Sequence, residues 1–208
     1  MARQVSQPFP EAGPEHDARV SAFRDELAKD DLHEVIQKHI TTGNPVVIDP
    51  NSYFALRRTI AREFAVHPSA VILVGSCRTG FSLKQHKRYL PVNPDSDVDI
   101  AIISPQLFDA YWENVFDLAR TDRGWARTKT GQRFSLNLFN GWITPRKLPN
   151  LPRFSDGRKW AEFFDGLTAR RTCGIREIKA RLYRSWERLE AYQEIMVTRC
   201  RDDLRKGA

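Results

Sequence analysis

Apolar residues fall into two helical stretches early in the chain, then two short unbroken apolar runs, then further helical stretches. From His16 to His39, Val20, Phe23, Leu27, Val35 and Ile36 are spaced as on a helix. Thr41-Thr42-Gly43-Asn44-Pro45 ends that helix, and Val46-Val47-Ile48 reads as extended. Asp49-Pro50-Asn51 starts a second helix, with Phe54, Ile60 and Phe64 available for packing, and Val66-His67-Pro68 closes it. Val71–Val74 and Asp97–Ile103 read as neighbouring strands. The segment between Lys84 and Asp95, with its prolines, reads as irregular.

Ser104 followed by Pro105 is a matched helix start, and apolar and aromatic residues from Leu107 to Leu118 continue that helix. Arg133–Phe139 alternates, with Phe134, Leu136 and Leu138 on one side, and is predicted as a third strand. Asn140-Gly141 is a turn, and Trp142–Leu151 is loop-like. Asp156–Leu167 is predicted helical through Trp160, Phe163, Phe164 and Leu167. Ile175, Ile178, Leu182, Leu189, Tyr192 and Met196 then form a near-heptad seam on a long helix, with Ser185 its weak position. The expected fold is α/β (α+β): a small mixed sheet with helices packed on one face, and helices at the C-terminal end.

The expected organisation is a mobile tail over 1–15, a domain over 16–152, and a basic helical region over 153–208 packed on it. The 208 residues are 41% apolar and 11% aromatic, enough for a packed core. No apolar run reaches the 18 or so residues of a membrane helix, and Met1–Ser6 opens no signal peptide, so a soluble cytoplasmic protein is expected. Cys77, Cys173 and Cys200 are too few and too widely spaced for a zinc or disulfide framework. Cys77 is expected to pack behind a turn. The net charge is +7, and from Arg158 onward thirteen Lys or Arg face eight Asp or Glu. That excess favours an anionic partner or a solvated arginine-rich face.

Two details of the apolar runs carry the chemistry. Val71-Ile72-Leu73-Val74 runs into Gly75-Ser76, and Ser96-Asp97-Val98-Asp99-Ile100 opens the second run. Alternation along a strand puts Asp97 and Asp99 on one face, about 6–7 Å apart at Cα, with Val98, Ile100 and Ile102 on the other. Two carboxylates side by side repel, and a divalent cation between them offsets that cost. A Gly-Ser turn nearby offers backbone N–H groups to phosphate. Arg78, Lys84, Lys87 and Arg88 add four positive charges before Asp95.

Gly75-Ser76-Cys77-Arg78-Thr79-Gly80-Phe81-Ser82 with Ser96-Asp97-Val98-Asp99-Ile100 resembles the signature of the DNA polymerase β-type nucleotidyltransferase superfamily, over about residues 69–103. It is similar to the bacterial minimal nucleotidyltransferases of toxin–antitoxin and anti-phage systems, and a comparable motif occurs in cyclic-oligonucleotide synthases. The resemblance implies a nucleotidyl group moved from a nucleoside triphosphate such as ATP onto an RNA, protein or nucleotide acceptor. It implies Asp97 and Asp99 as ligands of Mg²⁺ or Mn²⁺, Gly75 and Ser76 on the phosphates, and added positive charge from Arg78 or Lys84. Active members usually carry a third carboxylate on a later, adjacent strand. Arg133–Phe139 has none and offers only the neutral Asn137; Asp122, Asp156 and Glu162 are substitutes. The alternative is a catalytically weakened relative acting as an antitoxin, a regulator or a nucleic-acid binder, with self-association or a partner protein on the C-terminal helices.

Overall fold

The structure is a computed structural model that describes residues 12–149, 155–172 and 177–207. Most of the expected tail, and Cys173 and Ile175, lie outside the described residues. The first helix, α1 (Pro14–Lys29), begins with Pro14 in its first turn. It ends where Asp30 turns extended, and Asp31 then caps α2 (Leu32–Ile36) by accepting from the His33 N–H. The expected single helix over 16–39 is therefore two, the second closing in a π-helical turn at Gln37–Thr41. Val46–Ile48 makes bends rather than a strand, tied down by the Val46 N–H on the Arg78 carbonyl. The Asp49 side chain caps α3 (Pro50–Glu63) through the Asn51 and Ser52 N–H groups.

Four strands form one sheet in the order β1 (Val71–Val74), β2 (Val98–Ile103), β4 (Ile178–Tyr183), β3 (Trp142–Ile143). β1 and β2 are antiparallel with Val74 opposite Asp99, as expected of neighbouring strands. β2 and β4 are parallel with Asp99 opposite Lys179, and the short β3 closes the far edge antiparallel to β4. A four-residue helix, α4 (Ser76–Thr79), follows the glycine turn after β1. Between β2 and β4 the chain runs through α5 (Pro105–Thr121), capped by Ser104, then α6 (Arg123–Arg127), α7 (Lys129–Phe139), β3 and α8 (Asp156–Ala169). The chain ends in α9 (Trp186–Arg205). The fold is a mixed α+β one. Among the described residues no helix is long and apolar enough to cross a membrane.

Helices cover both faces of the sheet, not one. On one face Leu73, Val98, Ile100, Ile102, Ile178 and Leu182 pack against Leu56 and Ile60 of α3, Phe108 and Val115 of α5, and Trp160 and Phe164 of α8. On the other, Ile72, Val74, Ala101, Ile103 and Tyr183 pack with Phe23 and Leu27 of α1, Val35 and Ile36 of α2, and Leu189 and Val197 of α9. Two-sided burial explains why β2 reads as a near-continuous apolar run after Asp99.

Two expected elements change type. Arg133–Phe139 is the body of α7: Thr128 caps it through the Gly131 N–H, and Phe134 and Leu138, four apart, face the core. Leu136, which the strand reading placed with them, is 60% exposed. The predicted seam from Ile175 to Leu189 is also broken. Ile178 and Leu182 belong to β4, and the helix starts only after Ser185, at the weak position of the seam. A four-residue spacing fits one turn of helix, but equally two repeats of a strand. The later strand neighbouring the aspartates is therefore β4.

Candidate functional site

Gly75 ends β1 at φ +72°, ψ −158°, a conformation open essentially to glycine alone. The turn it makes lies against β2: a Cβ at position 75 would sit 3.1 Å from Asp99 Oδ2. The buried Cys77 thiol donates to the Asp97 carbonyl at 3.2 Å, binding α4 to the start of β2. Turn and carboxylates, twenty residues apart in sequence, thus share one end of the sheet, with Ser76 partly exposed beside them. Lys84, on the following loop, is exposed and close enough for its charge to act on Asp99.

Arg78 is not brought there. Its side chain is buried, donating from Nη1 to the Gly43 carbonyl at 2.7 Å and from Nε to the His39 carbonyl at 3.3 Å. It joins the turn to the segment leaving α2, and desolvation lowers its pKa. The substitutes for a third carboxylate lie elsewhere as well. Asp122 caps α6, Asp156 accepts from Asn114, and Glu162 pairs with Arg158 along α8.

β4 supplies what the sequence reading missed. The register sets Lys179 and Arg181 on the same face as Asp99 and Ala101. Lys179 Nζ donates to Asp97 Oδ2 at 2.6 Å and lies 3.1 Å from Glu177 Oε2, so the ammonium sits between two carboxylates. Arg181 Nη1 is 3.9 Å from Asp99 Oδ1, and its guanidinium covers the rings of Tyr192 and Trp142, with centroids 5.3 and 6.0 Å away. The signal was present: Glu177, Lys179 and Arg181 alternate with Ile178, Ala180 and Leu182. On the strand beside the aspartates, Lys179 and Arg181 are both cations.

The charges act on one another. Burial is the largest influence on Asp99 and raises its carboxyl pKa above the ordinary value; Asp97 adds to the rise, and Arg181, Lys84 and Lys179 oppose it. The hydrogen bond to Asp97 raises the Lys179 ammonium in turn. Among the described residues no three His, Cys, Asp or Glu side chains converge as a complete metal-ligand set. The donor pair still suits a hard cation. Mg²⁺ is commonly held by one or two carboxylates with substrate phosphates and water completing its shell, rather than by an all-protein cage. The two carboxylates would fit such a cation only with other ligands completing its shell.

One hollow near the sheet is of another kind. It measures about 490 Å³, and its lining of Phe64, Val66, Ile103, Leu107 and neighbours is chiefly apolar. It lies past the opposite end of β2 from Asp97.

Comparison of the chain with protein-family models, with curated proteins and with solved structures finds no significant match.

Proposed function

We propose that this end of the sheet binds a nucleoside triphosphate with Mg²⁺ or Mn²⁺ and transfers its nucleotidyl group to a hydroxyl acceptor. The observation that carries the reading is the approach of the Gly75 turn to Asp99 at the end of paired strands. A glycine there lets a phosphate come against the backbone, where N–H groups donate to its oxygens. Asp97 and Asp99 would hold the cation. When bound, such a cation would supply charge neutralisation on the triphosphate and on the leaving pyrophosphate. Arg181 and Lys84, whose charges act on Asp99, would add charge to the bound phosphates. Lys179 exchanges Asp97 for a phosphate oxygen as the nucleotide enters.

One observation favours a second reading, a protein that binds nucleotide and does not turn it over. Lys179 and Arg181 already neutralise the two aspartates without a metal. Each labelled ribonucleoside triphosphate, incubated with the protein, Mg²⁺ and cell extract, separates the two. Transfer labels an RNA, a protein or a nucleotide; binding alone labels nothing.

The raised Asp99 carboxyl gives a dependence on pH. A cation needs the carboxylate, and protons compete below the group's pKa, so Mg²⁺-dependent triphosphate affinity falls as pH is lowered through it. The fall comes at higher pH than for an ordinary aspartate, near 3.9, and approaches about tenfold per pH unit for one proton displaced. Calorimetric titration at a series of falling pH values shows it, with Asp99→Asn as the reference that removes this component and leaves the titration of the nucleotide itself.

A further inference from the structure

We infer that a second site, beside the carboxylates, binds a nucleoside phosphate and holds it as the acceptor. It is a groove of about 480 Å³ between α7, β3, β4 and α9, a size suited to one nucleotide. Lys129, Arg133, Lys147 and Arg181 line it, and no acidic side chain does. Among the described residues, Lys129, Arg133 and Lys147 form no ion pair. Lys129 and Arg133 lie four apart on α7, where like charges repel. Such a cluster is offset by an anion, and arginine forks fit a phosphate or a carboxylate with two parallel hydrogen bonds.

The groove also carries flat surfaces. Trp142 and Tyr192 meet edge to face at 4.9 Å with the Arg181 guanidinium over both. Aromatic rings and guanidinium planes are what bases stack on, and they accept any base. A sugar phosphate or a small acid would use the cations and leave these planes idle, so the combination favours a nucleotide. Arg181 is common to both sites, since its other contact is Asp99 at 3.9 Å. A ligand held by it lies next to the carboxylates. Calling the ligand an acceptor rests on the nucleotidyl-transfer reading; its binding does not.

The nucleoside phosphate could be free or the end of a strand, and the experiment separates these. Binding to the full chain is measured in EDTA, with AMP and GMP by calorimetry and with a labelled single-stranded oligoribonucleotide by anisotropy. At least one probe binds, and Arg133→Ala/Lys147→Ala weakens it about tenfold or more. For the strand, losing two phosphate contacts also flattens the slope of log affinity against log salt by about 1.4. Both side chains are exposed, so the variant is expected to fold, and its unfolding curve checks that. Mononucleotide binding lost in the variant assigns a free nucleotide; binding by the strand alone assigns a strand end. The proposal is overturned if neither probe binds in EDTA, or if the double variant binds as the parent does. The Mg²⁺-dependent gain in triphosphate binding, compared with Asp97→Ala/Asp99→Ala, reports separately on the carboxylate site, so either site can fail while the other stands.

Discussion

A Gly75→Val protein binds no nucleoside triphosphate. The native backbone at this position, φ +72° and ψ −158°, is a region side chains avoid, at a cost on the order of 1–3 kcal/mol. The added Cβ meets Asp99 Oδ2 at 3.1 Å, closer than ordinary contact, so the carboxylate must shift as well. One substitution therefore closes the phosphate turn and displaces a cation ligand. Domains of this size are stable by roughly 5–15 kcal/mol, enough to absorb the strain with a lowered melting temperature. Circular dichroism checks the fold and calorimetry the binding. Gly75→Ala, with a smaller side chain, loses at least about tenfold in affinity if the valine protein proves too unstable. Normal binding by either would place the phosphate turn elsewhere.

Removing the carboxylates has the second large effect. Asp97→Asn and Asp99→Asn keep the volume and drop one negative charge each. Held cations contribute several kcal/mol at a reacting phosphate; a loss of about 4 kcal/mol lowers turnover about a thousandfold. The two variants should differ in stability. Asp97→Asn leaves Lys179 with Glu177 as its acidic partner. Asp99→Asn instead removes a half-buried charge that is costly to keep, at the expense of its contact with Arg181. Urea unfolding separates these effects from binding. Equal Mg²⁺-dependent triphosphate affinity in parent and variants contradicts the assignment of the carboxylates.

The sheet's first two strands could be read from the chain because each is a short apolar run with one polar punctuation, Gly75-Ser76 or Asp97-x-Asp99. The helix starts at Asp49-Pro50 and Ser104-Pro105 were legible for a local reason: cap and proline are adjacent and need no tertiary partner. The third and fourth strands were not. β3 is two residues long and exists only as an edge for β4 to pair with. β4 shows Ile178 and Leu182 four apart, a spacing that fits helix and strand alike, and only parallel pairing with β2 decides between them. That misreading hid the cations. With β4 taken for a helix, Lys179 and Arg181 looked like a solvated face; on a strand they meet Asp97 and Asp99. Arg78 shows the reverse case. Its place after the Gly-Ser turn suggested a phosphate contact, but its guanidinium is held by the His39 and Gly43 carbonyls.

The cations of β4 make catalysis the point most in need of a test. They either yield the aspartates to an incoming metal–nucleotide complex and hold its phosphates, or keep them neutralised in a protein that only binds. Pyrophosphate release decides between these. The four ribonucleoside triphosphates are supplied in turn with Mg²⁺ or Mn²⁺, with cell extract as the acceptor source, and the parent is compared with Asp97→Ala/Asp99→Ala. The parent is expected to show metal-dependent release, slow but above the double variant with at least one triphosphate. Release no greater than that of the double variant, under every combination, contradicts it.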